Sequence, residues 1–362
     1  MPLTRIKNLY QSHGRWVPII SFFAGFVFDM LMLRRIDDVK VIVQQAIYLL
    51  IAAILVGIEL IEEDREIQAP RILNKIWKYR EVFLHFILGT LLNGYAIFYF
   101  KSSSALNSLF FIALLGALLI INEFKRFGKS QTQVHVAFLS LCLISWLISL
   151  MPTLMGFIGT VPFLCAVLAS LVLFLAYHRA LRPRVTSNPR LLKTHLLYPY
   201  GVIQIVFVIL YFINAIPPVP LSVKYMGIYH DVKKSEAGWE VTYTRPQWKF
   251  WQNGDQVFLA RPGDEIFCYV QIFAPVRFKD QLQVRWLYWN DKRGWLSSDA
   301  IPMPVLGGRD EGYRAVTKKS NFQQGIWRVQ VETMGNREIG RVDFEVKPDD
   351  SLGERDSHQA LL

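Results

Sequence analysis

Residues 200–216 read YGVIQIVFVILYFINAI, and no comparable run follows them. From Pro217 onward, apolar residues alternate two by two, as in a folded water-exposed domain. Upstream, six more segments approach the same length: 16–33, 41–60, 82–100, 105–122, 134–151 and 154–177. A helix needs roughly 20 apolar residues to cross a hydrocarbon core of about 30 Å. Its backbone groups must bond within the segment, so these runs are read as helices. The sequence therefore predicts a membrane α-helical bundle of seven spans over residues 1–217, the seventh at 199–216. An all-β antiparallel sandwich follows over 218–348, and a disordered polar tail over 349–362.

The formal charge is +11, which taken alone suggests nucleic acid. Divided at residue 217, the first part holds 20 Lys+Arg against 10 Asp+Glu, and the second 20 against 19. The soluble part is thus near neutral, and no nucleic-acid partner is expected. The excess lies in loops between spans. Sixteen basic residues fall on one side (the N-terminus and loops 61–81, 123–133 and 178–198) and four on the other. The positive-inside rule places the sixteen in the cytoplasm. With seven spans the C-terminal domain then lies outside, in the periplasm of a Gram-negative cell. The expected location is the bacterial inner membrane, multi-pass, with membrane lipid as a partner. No cleavable signal peptide is expected, because no small-residue cleavage site closes the run 16–33.

Polar residues inside spans are costly and are candidates for function. Asp29, Glu81, His85 and Asn93 fall in that class. Most lie near helix ends, where side chains reach water. Gly156 and Gly159 are read as packing residues of the sixth span, and the segment IEEDREIQ after residue 60 as a solvated extension of the second. Cys142, Cys165 and Cys268 are read as small buried hydrophobes.

The exported part shows strands near 239–244, 256–260, 264–274, 282–290, 294–300, 312–318, 325–333 and 338–346. Residues 217–238 begin with PPVPLS and read as a stiff, extended exit. Val284, Trp286 and Tyr288 share one strand face, and Trp327, Val329 and Val331 another, so Trp286 and Trp327 are assigned to the core. Trp289 and Trp295 flank the turn NDKRG, where aromatic residues either meet a ligand or partner or sit at a lipid interface. Arg309, Asp310, Tyr313 and Arg314 occupy the loop GGRDEGYR and its exit. Arg314, Lys318 and Arg328 are either plain surface cations or partners of Asp310 and Glu311.

The runs FLARPGDEIFCYVQIFAP, VRWLYWNDKRGW, GGRDEGYRAVTKKSN, GIWRVQVET and REIGRVDFEV carry a resemblance. The C-terminal part resembles domain-of-unknown-function family 2914 over roughly residues 240–347. The matching positions are Trp286, Arg314, Lys318, Gly325, Trp327, Arg328, Val329, Phe344 and Val346. The helical part is similar to the uncharacterised multi-span region joined to that domain in Gram-negative bacteria. The resemblance implies no reaction.

No HExxH, Cys-x-x-Cys, Gly-x-Ser-x-Gly or nucleotide-binding Gly-rich loop occurs. Neither a metal nor a cofactor is expected, and the sequence points away from an enzyme without excluding one. The leading expectation is a membrane-anchored module that binds a periplasmic protein or an envelope glycan. The alternative is a transporter or intramembrane enzyme whose bundle acts and whose sandwich regulates.

Overall fold

The computed structural model describes residues 38–65, 80–102, 131–188, 190–308, 311–351 and 353–362. Five helices fall among them: α1 (Val39–Asp64), α2 (Arg80–Lys101), α3 (Gln131–Met155), α4 (Thr160–Leu181) and α5 (Tyr198–Phe212). A π-helical segment, Leu192–Leu197, leads directly into α5. Helices α1 to α4, and α5 taken together with the π-helical segment, are long and apolar enough to cross a membrane. Val39, Val43, Ile47, Leu50 and Ile54 recur at helical spacing along α1 and are exposed, while Leu49, Ala52, Val56 and Leu60 are buried. An exposed stripe this apolar suits lipid, not water. Of the seven expected spans, those at 16–33 and 105–122 lie outside the described residues.

The reversal between α3 and α4 falls later than Pro152–Thr153. Pro152 sits inside the last turn of α3, and the Gly156 N–H donates to its carbonyl at 2.8 Å. Gly156 has φ +81°, and a Cβ there would stand 2.6 Å from the Arg277 carbonyl oxygen. Gly156 and Gly159 therefore build a turn and do not serve helix packing, since positive φ is open mainly to glycine.

The chain divides into two compact units, and the second includes Met151–Phe163 and Ile216–Leu362. It is built from eleven strands: β1 (Ser222–Tyr229), β2 (Asp231–Lys234), β3 (Trp239–Tyr243), β4 (Val257–Ala260), β5 (Ile266–Phe273), β6 (Lys279–Asn290), β7 (Gly294–Leu306), β8 (Tyr313–Lys319), β9 (Gly325–Thr333), β10 (Glu338–Pro348) and β11 (His358–Leu361). They form three sheets, ordered β1-β5-β8, β4-β10-β9-β6-β7 and β11-β3-β2. One core is lined by Ile228, Val270 and Ile272 from the first sheet and by Phe258, Val284, Trp286, Trp327, Val329 and Phe344 from the second. Trp286 and Trp327 are both buried, as the alternation required.

Two expectations are corrected. The β domain is not wholly antiparallel, because β4 runs parallel to β10, pairing Val257 with Glu345 and Ala260 with Pro348. A parallel pair needs a long crossover, and the chain from β5 to β9 supplies it. The tail expected to be disordered instead makes defined contacts in its described residues, 349–351 and 353–362. Its strand β11 pairs with β3, Arg355 reaches Asp264 at 2.6 Å, and Asp349 binds Arg261 at 2.6 Å. Backbone pairing and buried charge order a segment whose composition alone would not.

Candidate functional site

Strand β6 fixes the two ends of the β-rich unit. At its start, the Lys279 N–H donates to the Gly156 carbonyl at 2.7 Å, and the Ile158 N–H donates to the Asp280 carboxylate at 3.0 Å. Leu306 pairs with Lys279 there, and the Gly307 N–H meets the Phe278 carbonyl at 2.7 Å. Tyr313 and Arg314 open β8 at this same end, opposite Ile272 and Gln271 of β5. Arg314 forms an ion pair with Glu311. Arg309 and Asp310 lie outside the described residues. The other end of β6 is roughly 36 Å away at about 3.3 Å per residue, and Trp289 and Trp295 face each other there across the hairpin. The structure therefore does not gather the sequence candidates into one site.

The Trp289–Trp295 rings meet edge to face at 5.2 Å, and Trp289 Nε1 donates to Asp291 at 3.1 Å. The Arg328 guanidinium lies 4.0 Å over the Trp295 ring. That guanidinium is anchored to Asp343 by two bonds of 2.6 and 2.8 Å. Arg328 thus pairs with Asp343 across β9 and β10 and not with Glu311, while Asp310 lies outside the described residues. Both tryptophans are half-buried.

A more exposed aromatic group lies in the connection Pro246–Gly254, which the sequence reading passed over. Trp248, Phe250 and Trp251 are 65%, 82% and 60% exposed. The Trp248–Trp251 and Phe250–Trp251 rings meet at 5.6 and 5.4 Å, inclined by 66° and 81°. Lys249 Nζ stands 5.3 Å over the Trp248 ring.

The base of this loop is braced. Buried Asp255 accepts from Thr244 N at 2.9 Å, Arg245 N at 2.7 Å and Thr244 Oγ1 at 3.2 Å. The Arg245 guanidinium donates to the Lys249 carbonyl. Gly254 has φ +70° and packs on β1, where a Cβ would fall 2.1 Å from the Ile228 carbonyl oxygen. Ile228 lies about 20 Å along β1 from Ser222. Ser222 pairs with Phe273, which leads into the Gly156 end. The aromatic loop thus belongs to the end opposite Gly156. Its signal was WKFW between Pro246 and Gly254, three large aromatic residues with no strand alternation to bury them.

Behind the loop, His230 is stacked on Phe258 at 4.0 Å. Its Nδ1 lies 3.1 Å from the Arg355 guanidinium and its Nε2 3.7 Å from the Asp255 carboxylate. Burial, then the Arg355 charge, lowers its pKa to about 4, so the ring is neutral near pH 7. Burial raises the Asp255 carboxyl to about 6, opposed by its hydrogen bonds to Thr244 and Arg245.

In the helical unit, the acids at the end of α1 are not a bland solvated face. Glu59 Oε2 lies 2.8 Å from His135 Nδ1, and His135 meets the His85 ring edge to face at 4.8 Å. Glu62 pairs with Arg80, and Glu63 lies 3.3 Å from His195. Asp64 accepts the backbone N–H groups of Thr186, Ser187 and Asn188 at 2.9, 3.0 and 2.7 Å. Of the sequence candidates, His85 joins this group and Asn93 lies on α2. Glu81 belongs to α2 by its backbone, its side chain lies outside the description, and Asp29 lies outside the described residues. Glu59 was missed because it sits at the border of the charged run. Among the described residues, no three His, Cys, Asp or Glu side chains converge to hold a metal.

Residues 279–346, from β6 into β10, match the family model described as protein of unknown function (DUF2914). No curated protein matches the chain. Among solved structures, it is similar to an immunoglobulin-like protein from Pseudomonas aeruginosa, with 12% identity and a TM-score of 0.22 over 36% of this chain and 98% of that one. A β-glucosidase from Listeria innocua gives 12% identity and a TM-score of 0.19, over 30% and 15% of the two chains. An alkylpurine DNA glycosylase from Pseudomonas fluorescens gives 9% and 0.21, over 78% and 83%. At such TM-scores these likenesses carry no argument about function.

Proposed function

We propose that the chain is a membrane-anchored interaction module. Its β-rich unit is a sandwich, supported by the single core shared between sheets β1-β5-β8 and β4-β10-β9-β6-β7. It faces the periplasm from the inner membrane of a Gram-negative cell, a reading supported by the basic asymmetry of the loops. It binds an envelope or periplasmic partner. The observation that carries this reading is the braced loop exposing Trp248, Phe250 and Trp251. Ordering such side chains costs conformational entropy, and their contacts with one another leave most of their apolar surface in water. Rigid exposed aromatic residues beside a cation are the composition of interface hot spots. The steep inclination between neighbouring rings gives no flat platform for a sugar face, which favours a protein pocket over a glycan. Trp289, Trp295 and Arg328 at the same end form a secondary contact, and Tyr313 and Arg314 serve the opposite end.

The test uses the full chain in detergent, exposed to envelope extract. A variant carrying Trp248→Ala, Phe250→Ala and Trp251→Ala should keep the melting temperature and lose the retained partner. An identical retained set in both proteins would defeat the proposal. The second reading, an active bundle, is favoured by the Glu59–His135–His85 contact across three helices. It would require Glu59→Gln to abolish a transport or turnover activity while leaving partner retention intact.

A further inference from the structure

Helix α4 carries one stripe that changes character near its end. Leu168, Leu171, Val172 and Leu175 are exposed. Arg179 and Arg182 continue the stripe at spacings of four and three residues, which keeps them on the same face. The helical path holds to this point, since the Arg182 N–H donates to the His178 carbonyl at 3.0 Å. At the junction lies an open groove of about 790 Å³ lined by Leu175, Ala176, His178, Arg179, Arg182 and Pro183.

Among the described residues, no acid balances the cations of this groove. The acids at the end of α1 are spent elsewhere: Glu59 on His135, Glu62 on Arg80, Glu63 on His195, and Asp64 on the N–H groups of 186–188. Among the described residues, neither Arg179 nor Arg182 forms an ion pair, whereas Arg184 donates to the Ala180 carbonyl and so caps the helix. From Leu168 to Arg179 the helix rises about 16 Å, close to half of a hydrocarbon core of about 30 Å.

We propose that this groove binds one anionic phospholipid, its phosphate against Arg179 and Arg182 and an acyl chain along Leu168, Val172 and Leu175. A free phosphate satisfies the cations and leaves the apolar stripe uncovered. A zwitterionic lipid covers the stripe without neutralising the cations. Only an anionic lipid does both.

The experiment measures lipid retention by the full chain purified in detergent, using phosphatidylglycerol, phosphatidylcholine and inorganic phosphate as separate probes. The chain should retain phosphatidylglycerol in preference to phosphatidylcholine, and millimolar phosphate should not displace it. Two juxtamembrane cations contribute about 1 kcal/mol each, so R179Q with R182Q should weaken phosphatidylglycerol binding about 30-fold. R179K with R182K, which keeps both charges, should retain most of it. Both positions are exposed, and circular dichroism verifies that helix content is unchanged. Equal retention by wild type and the glutamine variant, or displacement of the lipid by inorganic phosphate, would overturn the proposal.

Discussion

Trp286 and Trp248 are the same residue type put to opposite uses. Trp286 is fully buried and meets Phe344 edge to face at 6.3 Å. Trp286→Ala should therefore cost about 3–5 kcal/mol in chemical unfolding, whereas Trp248→Ala should change stability by less than about 0.5 kcal/mol. A small cost at Trp286 would show the core to be wrongly drawn. Trp286 was legible because it shares a strand face with Val284 and Tyr288, whereas Trp248-Lys249-Phe250-Trp251 alternates with nothing and was passed over.

A second residue-scale prediction concerns His230 and Asp255. The folded His230 has a pKa of about 4 against an ordinary 6.5, so its contribution is present above pH 6.5 and lost as pH falls towards 4. The folded Asp255 has a pKa of about 6 against an ordinary 3.8, so its contribution is present below 3.8 and lost as pH rises towards 6. The two slopes oppose each other between about pH 4 and 6. Asp255→Asn keeps an oxygen for the Thr244 and Arg245 N–H groups and removes one slope. Denaturant unfolding of the variant should then show stability rising with pH across that window more steeply than in the wild type. A parallel pair of pH profiles would reject the assignment.

At the scale of elements, legibility depended on whether one face of a strand meets water. The strands read from the sequence at 239–244 and from 256 to 346 are all present, with ends shifted by a few residues. β1 was not read, because the last four residues of β1, from Met226 to Tyr229, are all buried. Tyr225 and Tyr229 meet a small second cluster with Val241 and Tyr269, so β1 is covered on both faces. Covering both faces erases the period of two. Strand β11 was illegible for a different reason: HQAL is held by backbone pairing, which composition does not record.

The tail supplies the element-scale prediction. Removing residues 349–362 deletes β11, the Arg261–Asp349 pair and the Arg355–Asp264 pair. It also leaves β3 as an open edge, able to pair with another chain. The truncated protein should lose about 2 kcal/mol, which lowers the melting temperature by roughly 4–8 °C for a domain of this size. It should also self-associate in analytical ultracentrifugation. Unchanged melting and a monodisperse monomer would show the tail to be dispensable.

For the whole molecule, the informative quantity is the distribution of charge and not its sum. A net +11 divides into a nearly neutral C-terminal part and an N-terminal part that holds 20 Lys+Arg against 10 Asp+Glu. Long apolar helices were legible because lipid demands a composition that water does not. The partner was not legible, since exposed aromatic residues give the kind of contact and not its identity. The topology itself is open to direct measurement. The chain has few cysteines, with Cys142 and Cys268 buried and Cys165 half-buried, so added thiols report cleanly. Ser187 lies in the basic loop after α4, and Gln247 at the exposed aromatic loop, and both are exposed. An impermeant maleimide should label Gln247→Cys in spheroplasts with an intact inner membrane, and should label Ser187→Cys only after permeabilisation. That outcome is what the proposed topology expects, since the positive-inside bias would hold the basic loops in the cytoplasm. Labelling of Ser187→Cys alone in intact spheroplasts would invert the arrangement and withdraw the periplasmic partner with it.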